Sequence, residues 1–180
     1  DKIRAFIQGD KININQKDNR GETALAYAIG HNAELEEVIM PLVEKGADTN
    51  AVDNNGRSIL KRAISRGVPP EVLKYLLDNK ANAKEEGMIF EVFNQSANLE
   101  TVSALVRAGA NLKEKDKSGY TPLARAINQK YKADIIRIMI DHGAEVNFKL
   151  PSGITILDLA KSKYDQTDEV ISMLIAAGAK

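Results

Sequence analysis

The side chains best suited to acid-base chemistry include two pairs of adjacent carboxylates, Glu36-Glu37 and Glu85-Glu86. A solvated face explains both pairs better than acid-base catalysis does. The chain has no cysteine, so neither a Cys/His zinc site nor a thiolate nucleophile can form. Its serines lie in no Gly-x-Ser-x-Gly turn, and its glycines form no phosphate loop followed by lysine. These patterns predict a protein that is not an enzyme and that holds no metal or cofactor.

The two histidines, His31 and His142, are the remaining candidates for proton transfer, but they lie in separate segments of the chain. His142 falls at the expected end of a helix, where the helix dipole favours a partly charged imidazole, and this position predicts a capping role. His31 falls at the end of an earlier predicted helix. No group of residues therefore meets the geometric requirements of an active site.

The chain has 180 residues, of which 43% are hydrophobic and 28% are charged, and these fractions are ordinary for a soluble globular protein. Twenty-five basic residues balance twenty-five acidic ones, so we expect neither nucleic acid nor an anionic membrane as a partner. No apolar run approaches the ~20 residues that span a bilayer, and direct membrane insertion is not expected. We expect a monomer.

Two sequence features bear on the cellular compartment of the protein. The absence of cysteine fits a reducing compartment, and we expect the cytoplasm, with the periplasm or secretion as alternatives. The sequence starts at Asp1 without a signal-peptide pattern, which suggests a trimmed fragment or a processed mature form.

The segment "KSGYTPLARAI", residues 117–127, carries turn and helix-start residues in place of reactive ones. Gly119 suits a tight turn because glycine accepts a positive φ, Thr121 can cap a helix, and Pro122 suits the first helical position. An apolar helical stretch at 135–140 follows, and Gly143 is placed to cap it in the left-handed conformation. The unit is therefore turn, helix, turn, helix.

This unit recurs along the chain with a period near 33 residues, which is typical of a repeat architecture. The caps are Gly46-Ala47-Asp48, Lys80-Ala81-Asn82, Gly109-Ala110-Asn111, Gly143-Ala144-Glu145 and Gly178-Ala179-Lys180. The helix starts are Thr23-Ala24-Leu25, Ser58-Ile59-Leu60, Thr121-Pro122-Leu123 and Thr155-Ile156-Leu157, each followed by a small residue, Ala28, Ala63, Ala126 and Ala160. Small side chains at these positions let neighbouring helix pairs approach closely.

Together with the openings at 18–21, 53–56 and 116–119, which read Asp-x-x-Gly, these motifs resemble the ankyrin repeat family over essentially the whole chain. The resemblance implies an all-α solenoid of stacked helix pairs with short β-hairpin fingers. We expect one ankyrin-repeat domain at 1–180, with a partial N-terminal unit at 1–17, whose helix would carry Ile3, Phe6 and Ile7, and repeats at 18–52, 53–84, 85–115, 116–149 and 150–180. The repeat at 85–115 is degenerate.

The degenerate repeat has a shortened opening. Elsewhere the helix start lies ten positions after the cap position, as Ser58 does after Asp48, whereas Gly87 lies only five positions after Asn82. A segment of this length is long enough for a tight turn but too short for a hairpin, so we expect a short turn in place of the hairpin. The helix that follows is rich in large apolar side chains, which we expect to fill the core; an exposed contact patch is the alternative. These side chains are Met88, Ile89, Phe90, Val92 and Phe93.

The resemblance also implies a function, since ankyrin repeats hold protein partners, usually on the concave side formed by hairpin tips and first helices. The corresponding candidate partner-binding residues are Glu22, His31, Asn55, Arg57, Arg66, Gln95, Tyr120 and Gln129. Arg57, Arg66 and Tyr120 are preferred because arginine and tyrosine often anchor interfaces. The alternatives are a regulatory or targeting segment of a larger protein with catalytic or membrane parts elsewhere, and a structural solenoid that oligomerises through its terminal repeats.

Overall fold

The computed structural model describes residues 12–94 and 98–180, and in these ranges it is helical, with no sheet. The described ranges contain ten α-helices, which are α1 Ala24–Gly30, α2 Met40–Glu44, α3 Ile59–Arg66, α4 Pro70–Asp78, α5 Met88–Asn94, α6 Leu99–Arg107, α7 Pro122–Asn128, α8 Ala133–Asp141, α9 Ile156–Lys163 and α10 Glu169–Ala176. A π-helical segment, Leu35–Ile39, leads into α2. The predicted all-α class is confirmed. The predicted helix at Ile3, Phe6 and Ile7 lies outside the described residues.

The chain divides into two compact units, Asp1–Asn82 and Ala83–Lys180, which are considered separately. In the first unit α1 packs beside α3, α1 contacts the π-helical segment and α2, and α3 contacts α4. In the second unit α5, α7 and α9 form one row, α6, α8 and α10 form another, and each helix of the first row contacts one of the second. Both units are therefore built from paired helices.

Predicted hydroxyl caps begin the first helix of four repeats. Each hydroxyl oxygen accepts a hydrogen bond from the backbone N–H three residues on, in the pairs Thr23 with Ala26, Ser58 with Lys61, Thr121 with Ala124 and Thr155 with Asp158. The repeated alanines are also buried as expected: Ala63, Ala126 and Ala160 have no exposed surface, and Ala28 is 5% exposed. A longer side chain there would force neighbouring helices apart.

Four hairpin loops of identical length precede these helices. In each, the first backbone N–H donates to the carbonyl oxygen of the fifth residue, in the pairs Asp18 with Glu22, Asp53 with Arg57, Asp116 with Tyr120 and Leu150 with Ile154. The aspartate that opens the first three loops also accepts the N–H groups two and four residues on. These bonds organise the loop from within its own sequence.

The hairpin of the degenerate repeat is replaced by a short turn, as predicted. Residues 83–87 form turns and a bend without the antiparallel bridge that links Val52 with Ser58 or Lys149 with Thr155. Gly87 has a φ of +76° immediately before α5. The large apolar residues of α5 fill the core as expected, since Met88, Ile89, Val92 and Phe93 are at most 5% exposed, whereas Phe90 is partly exposed.

Three asparagines clamp successive repeats together, which the sequence interpretation did not identify. The Nδ2 atoms of Asn15, Asn50 and Asn147 donate to the carbonyl oxygens of Gly46, Lys80 and Gly178, respectively. Their Oδ1 atoms accept the backbone N–H groups of Asp48, Asn82 and Lys180. Recurrence of asparagine two residues after the cap position is the sequence signal that would have revealed the clamp; lysine takes this place at 84 and 113.

We expect Asn50→Ala to lower the free energy of unfolding by about 1–2 kcal/mol, because two hydrogen bonds between repeats are lost. Asn55→Ala is the matched control. Asn55 is exposed and its bond to Asp53 comes from the backbone N–H, which alanine retains. Urea unfolding of both variants measures the difference, and equal midpoints would show that the clamp contributes nothing.

Candidate functional site

The candidate residues of the first unit lie on hairpin loops 18–22 and 53–57 and at the ends of two first helices. Asn55 and Arg57 are exposed, and their backbone N–H groups donate to Asp53 Oδ1 at 2.9 and 3.0 Å. Arg66 is exposed in the last turn of α3. The loop backbone is thus held in place while the side chains of these three residues face solvent. We call the hairpin loops, together with the C-terminal ends of the first helices, the finger surface.

Glu22 is placed differently, because it takes part in an ion network within the fold. Arg62 Nη2 lies 2.8 Å from Glu22 Oε1 and 2.8 Å from Asp53 Oδ2. The side chains of Glu22, Arg62 and Asp53 are only 11%, 10% and 7% exposed. Arg20, on the surface, contacts the other Glu22 oxygen at 3.1 Å. Arg62 therefore joins the hairpin loops of two successive repeats, a role that the sequence interpretation missed.

Burial, the loop backbone and the network together set the pKa of Asp53. Burial raises the pKa of this carboxyl, but hydrogen bonds from the N–H groups of Arg57 and Asn55 and the nearby Arg62 guanidinium outweigh it. The net pKa lies below its ordinary value of 3.8. The same balance, with Arg125 as the cation, lowers the pKa of Asp116 in the second unit. Both aspartates are held as carboxylates at neutral pH.

His31 caps α1 and is exposed. Its ring stacks on Tyr27 with the centroids 4.0 Å apart, and Nδ1–H donates to the Tyr27 carbonyl oxygen at 2.9 Å. One ring nitrogen is thus used by the fold, and Nε2 is left to contact a ligand. The two rings border a cavity of about 720 Å³, mainly apolar, whose lining includes Ile12, Val38 and Leu42.

In the second unit, Tyr120 ends hairpin loop 116–120 and is partly buried. The Arg125 guanidinium lies 5.3 Å from the centre of its ring, and the same guanidinium pairs with the Asp116 carboxylate. Gln129 is exposed at the end of α7. The second unit thus presents an aromatic ring held by a cation, with an exposed amide on the helix that follows the loop. Gln95 lies outside the described residues.

His142 has the capping geometry expected of it, since its Nδ1–H donates to the Ile138 carbonyl oxygen at 2.9 Å at the end of α8. Within residues 12–94 and 98–180, no three His, Asp or Glu side chains are grouped so that they could hold a metal ion. In the same ranges no helix is both long enough and apolar enough to cross a membrane. Most of the candidate residues that the structure describes are thus exposed side chains next to hydrogen-bonded backbone.

Comparison with known proteins identifies the repeats. The family model described as ankyrin repeats (3 copies) matches residues 1–86 and 90–180. A crystal structure of an ankyrin repeat domain from Acinetobacter baumannii AYE is 30% identical, with a TM-score of 0.79, covering 99% of this chain and 94% of that one. The ankyrin repeat domain of Bcl-3 is 25% identical, with a TM-score of 0.73, covering 99% and 80%.

Similar curated proteins are longer than this chain. The ankyrin repeat protein FPV031 of fowlpox virus (strain NVSL) is 28% identical over 150 residues, which cover 78% of this chain and 43% of the viral protein. Rabankyrin-5 of Mus musculus is 29% identical over 163 residues, which cover 82% of this chain and 14% of the mouse protein. The chain thus spans less than half the length of either relative.

Proposed function

This chain belongs to the ankyrin repeat family, and we propose that it binds a protein partner through the finger surface of its compact units. The ankyrin repeat is typically a non-catalytic protein-interaction module. The observation that carries the proposal is the exposure of Asn55, Arg57, Arg66 and Gln129 at positions where the surrounding backbone is hydrogen-bonded in place.

Rigid loops favour binding because less conformational entropy is lost on association. The Asp53 and Asp116 carboxylates each accept two loop N–H groups, so each loop is organised before a partner arrives. Only exposed side chains such as Arg57 then need to become ordered. Arginine and tyrosine are enriched among residues that dominate binding energies, so Arg57, Arg66 and Tyr120 are the proposed anchors.

We expect the triple variant Arg57→Ala/Arg66→Ala/Tyr120→Ala to bind the partner at least about 100-fold more weakly, because each anchor contributes ~1 kcal/mol or more. Affinity purification followed by mass spectrometry identifies the partner. Calorimetry with the purified partner then measures the affinity, and circular dichroism verifies that helicity is unchanged.

The matched control is Lys74→Ala/Arg107→Ala, which removes two exposed basic residues from second helices α4 and α6. This variant should bind with unchanged affinity. Normal binding by the triple variant, together with loss of binding by the control, would place the interface on the second helices and contradict the proposal.

A second candidate function is that of a regulatory or targeting segment within a longer protein. The observation that favours it is the length of the relatives, of which this chain spans 43% and 14%. The full open reading frame decides between the two: a catalytic or membrane domain in the same polypeptide supports the second candidate, and a reading frame with nothing beyond repeats contradicts it.

A further inference from the structure

In the first unit the charged residues are divided unevenly between two sets of elements. Hairpin loops 18–22 and 53–57, together with the first helices α1 and α3, carry five basic and three acidic residues. The π-helical segment, α2 and α4 carry one basic and five acidic residues. The chain as a whole is neutral, so its composition does not reveal that the two sets have opposite net charge.

The three acidic residues of the loops are already engaged within the unit. Arg20 Nε lies 3.5 Å from Asp18 Oδ2, and Arg20 Nη2 lies 3.1 Å from Glu22 Oε2. Arg62 Nη2 contacts the other Glu22 oxygen and Asp53 Oδ2, each at 2.8 Å. Two arginines thus hold three carboxylates, and this network keeps one negative charge.

Three further basic residues on the loops and first helices, Arg57, Lys61 and Arg66, outweigh that charge. Arg57 and Arg66 are exposed, and among the described residues neither guanidinium forms an ion pair or a hydrogen bond. Arg57 lies just before α3, and Arg66 is its last residue. Because a helix rises ~1.5 Å per residue, these two unpaired cations mark the ends of a helix about 12 Å long.

We propose that the finger surface of the first unit binds an acidic segment of the protein partner, with carboxylates on Arg57 and Arg66; this inference rests on the proposed function. A guanidinium binds a carboxylate through two parallel hydrogen bonds, which gives such a contact both strength and direction. An extended peptide advances ~3.3–3.6 Å per residue, so acidic residues about four positions apart match the two ends of α3. The acidic second helices repel the same segment and thereby favour the finger surface.

A protein carboxylate is favoured over the phosphates of a nucleic acid. Nucleic-acid-binding domains are usually strongly basic, because their affinity comes from many phosphate contacts. The sequence pI of this chain is about 7.0, and the network of Asp18, Glu22 and Asp53 lies on the same loops as Arg57. Two exposed arginines suit a short acidic peptide better than a polyanion.

The test uses a defined probe, acetyl-hexaglutamate-amide, titrated into the isotopically labelled chain at low ionic strength while amide resonances are followed by NMR. We expect saturable shifts concentrated around Arg57 and Arg66. Acetyl-hexaglutamine-amide has nearly the same shape without the charge and should bind at least about fivefold more weakly, because two surface ion pairs are lost. Added sodium chloride should weaken hexaglutamate binding through screening.

Arg57→Gln/Arg66→Gln provides the protein-side test. Both side chains are exposed, and the loop bond from the Arg57 backbone N–H to Asp53 is retained by glutamine. This variant should bind hexaglutamate at least about fivefold more weakly. The matched control, Lys45→Gln/Lys74→Gln, removes two exposed cations at the end of α2 and on α4 and should bind it like the unaltered chain. The comparison of the two peptides uses the unaltered protein and is decisive even if a variant folds poorly.

Equal binding of the two peptides, no effect of Arg57→Gln/Arg66→Gln in a folded variant, or shifts centred elsewhere would each overturn the inference. Tighter binding of a thymidine hexanucleotide than of hexaglutamate around the same residues would also overturn it and would assign the surface to nucleic acid. The failure of the inference leaves the proposed function intact if the Arg57/Arg66/Tyr120 variant still loses the partner. If instead hexaglutamate binds around Arg57 and Arg66 while that triple variant captures the partner normally, the proposed function fails and the acidic-peptide site stands apart from it.

Discussion

Replacement of Arg62 by alanine is expected to lower the free energy of unfolding by about 3 kcal/mol, because it leaves two buried carboxylates without their shared cation. The Arg62 guanidinium lies 2.8 Å from both Glu22 and Asp53, and the residue is only 8% exposed. Urea unfolding at neutral pH measures the loss. Arg66→Ala is the matched control, because Arg66 is an exposed arginine on the same helix and should cost less than about 0.5 kcal/mol.

The Arg62 effect should also depend on pH in a defined direction. The pKa of Asp53 in the folded protein lies below 3.8, so its ionisation contributes stability that is complete well above pH 3.8. That contribution is lost as the pH falls through 3.8 and then through the lower pKa of the folded state. The stability difference between the unaltered chain and Arg62→Ala should therefore narrow in acid. The role assigned to the network would be contradicted if Arg62→Ala lowered the free energy of unfolding equally at pH 7 and in acid. It would also be contradicted if this loss were no greater than the loss caused by Arg66→Ala.

The second large effect is expected at Gly21, where alanine should lower the free energy of unfolding by about 2–4 kcal/mol. Gly21 has a φ of +76°, which costs an L-residue ~1 kcal/mol or more. A Cβ atom there would also lie 2.4 Å from Asn54 Oδ1 and 2.7 Å from the Asn54 backbone nitrogen. Relief of that overlap would disturb two hydrogen bonds, each 3.0 Å long, from Asn54 to the carbonyl oxygens of Asn19 and Arg20.

Gly56→Ala separates the two causes, because Gly56 has a similar φ of +72° but open space where a Cβ atom would lie. Gly56→Ala should therefore lose only the free energy that a positive φ costs an L-residue. We expect its melting temperature to lie between those of the unaltered chain and Gly21→Ala. The second unit offers a parallel pair, since a Cβ at Gly119 would meet Pro151 Cγ at 2.5 Å and one at Gly153 would meet nothing. Equal losses within each pair would mean that contact between neighbouring fingers adds no cost.

Much of the fold could be predicted because its signals are local. The Thr121 hydroxyl caps α7 through the N–H of Ala124, and the Asp116 carboxylate organises its loop through residues two and four positions later. The spacing of five positions from Asn82 to Gly87 likewise predicted a turn in place of a finger. Each inference needed only the chemistry and spacing of residues that are close in sequence.

The candidate site was less predictable from the sequence. The exposure of each candidate side chain depends on which residues of the neighbouring repeat pack against it. Glu22 and Arg57 hold similar positions on successive fingers, yet Glu22 is paired with Arg62 whereas Arg57 is exposed. Nothing near Glu22 in sequence indicates that pairing. Its proposed contact with a partner therefore competes with an interaction inside the fold.

By itself, the sequence determined the repeat, the helix caps, the finger lengths and the absence of cysteine chemistry, since each of these depends on residue type and short spacing. Only the tertiary structure decided that Asn50 clamps the next repeat, that Arg62 pairs with carboxylates of two fingers and that Glu114 Oε1 is buried without a donor. The physical reason is that the last three depend on how the helix pairs pack. Packing brings together side chains about one repeat apart, and their burial then sets the strength of each charge and hydrogen bond.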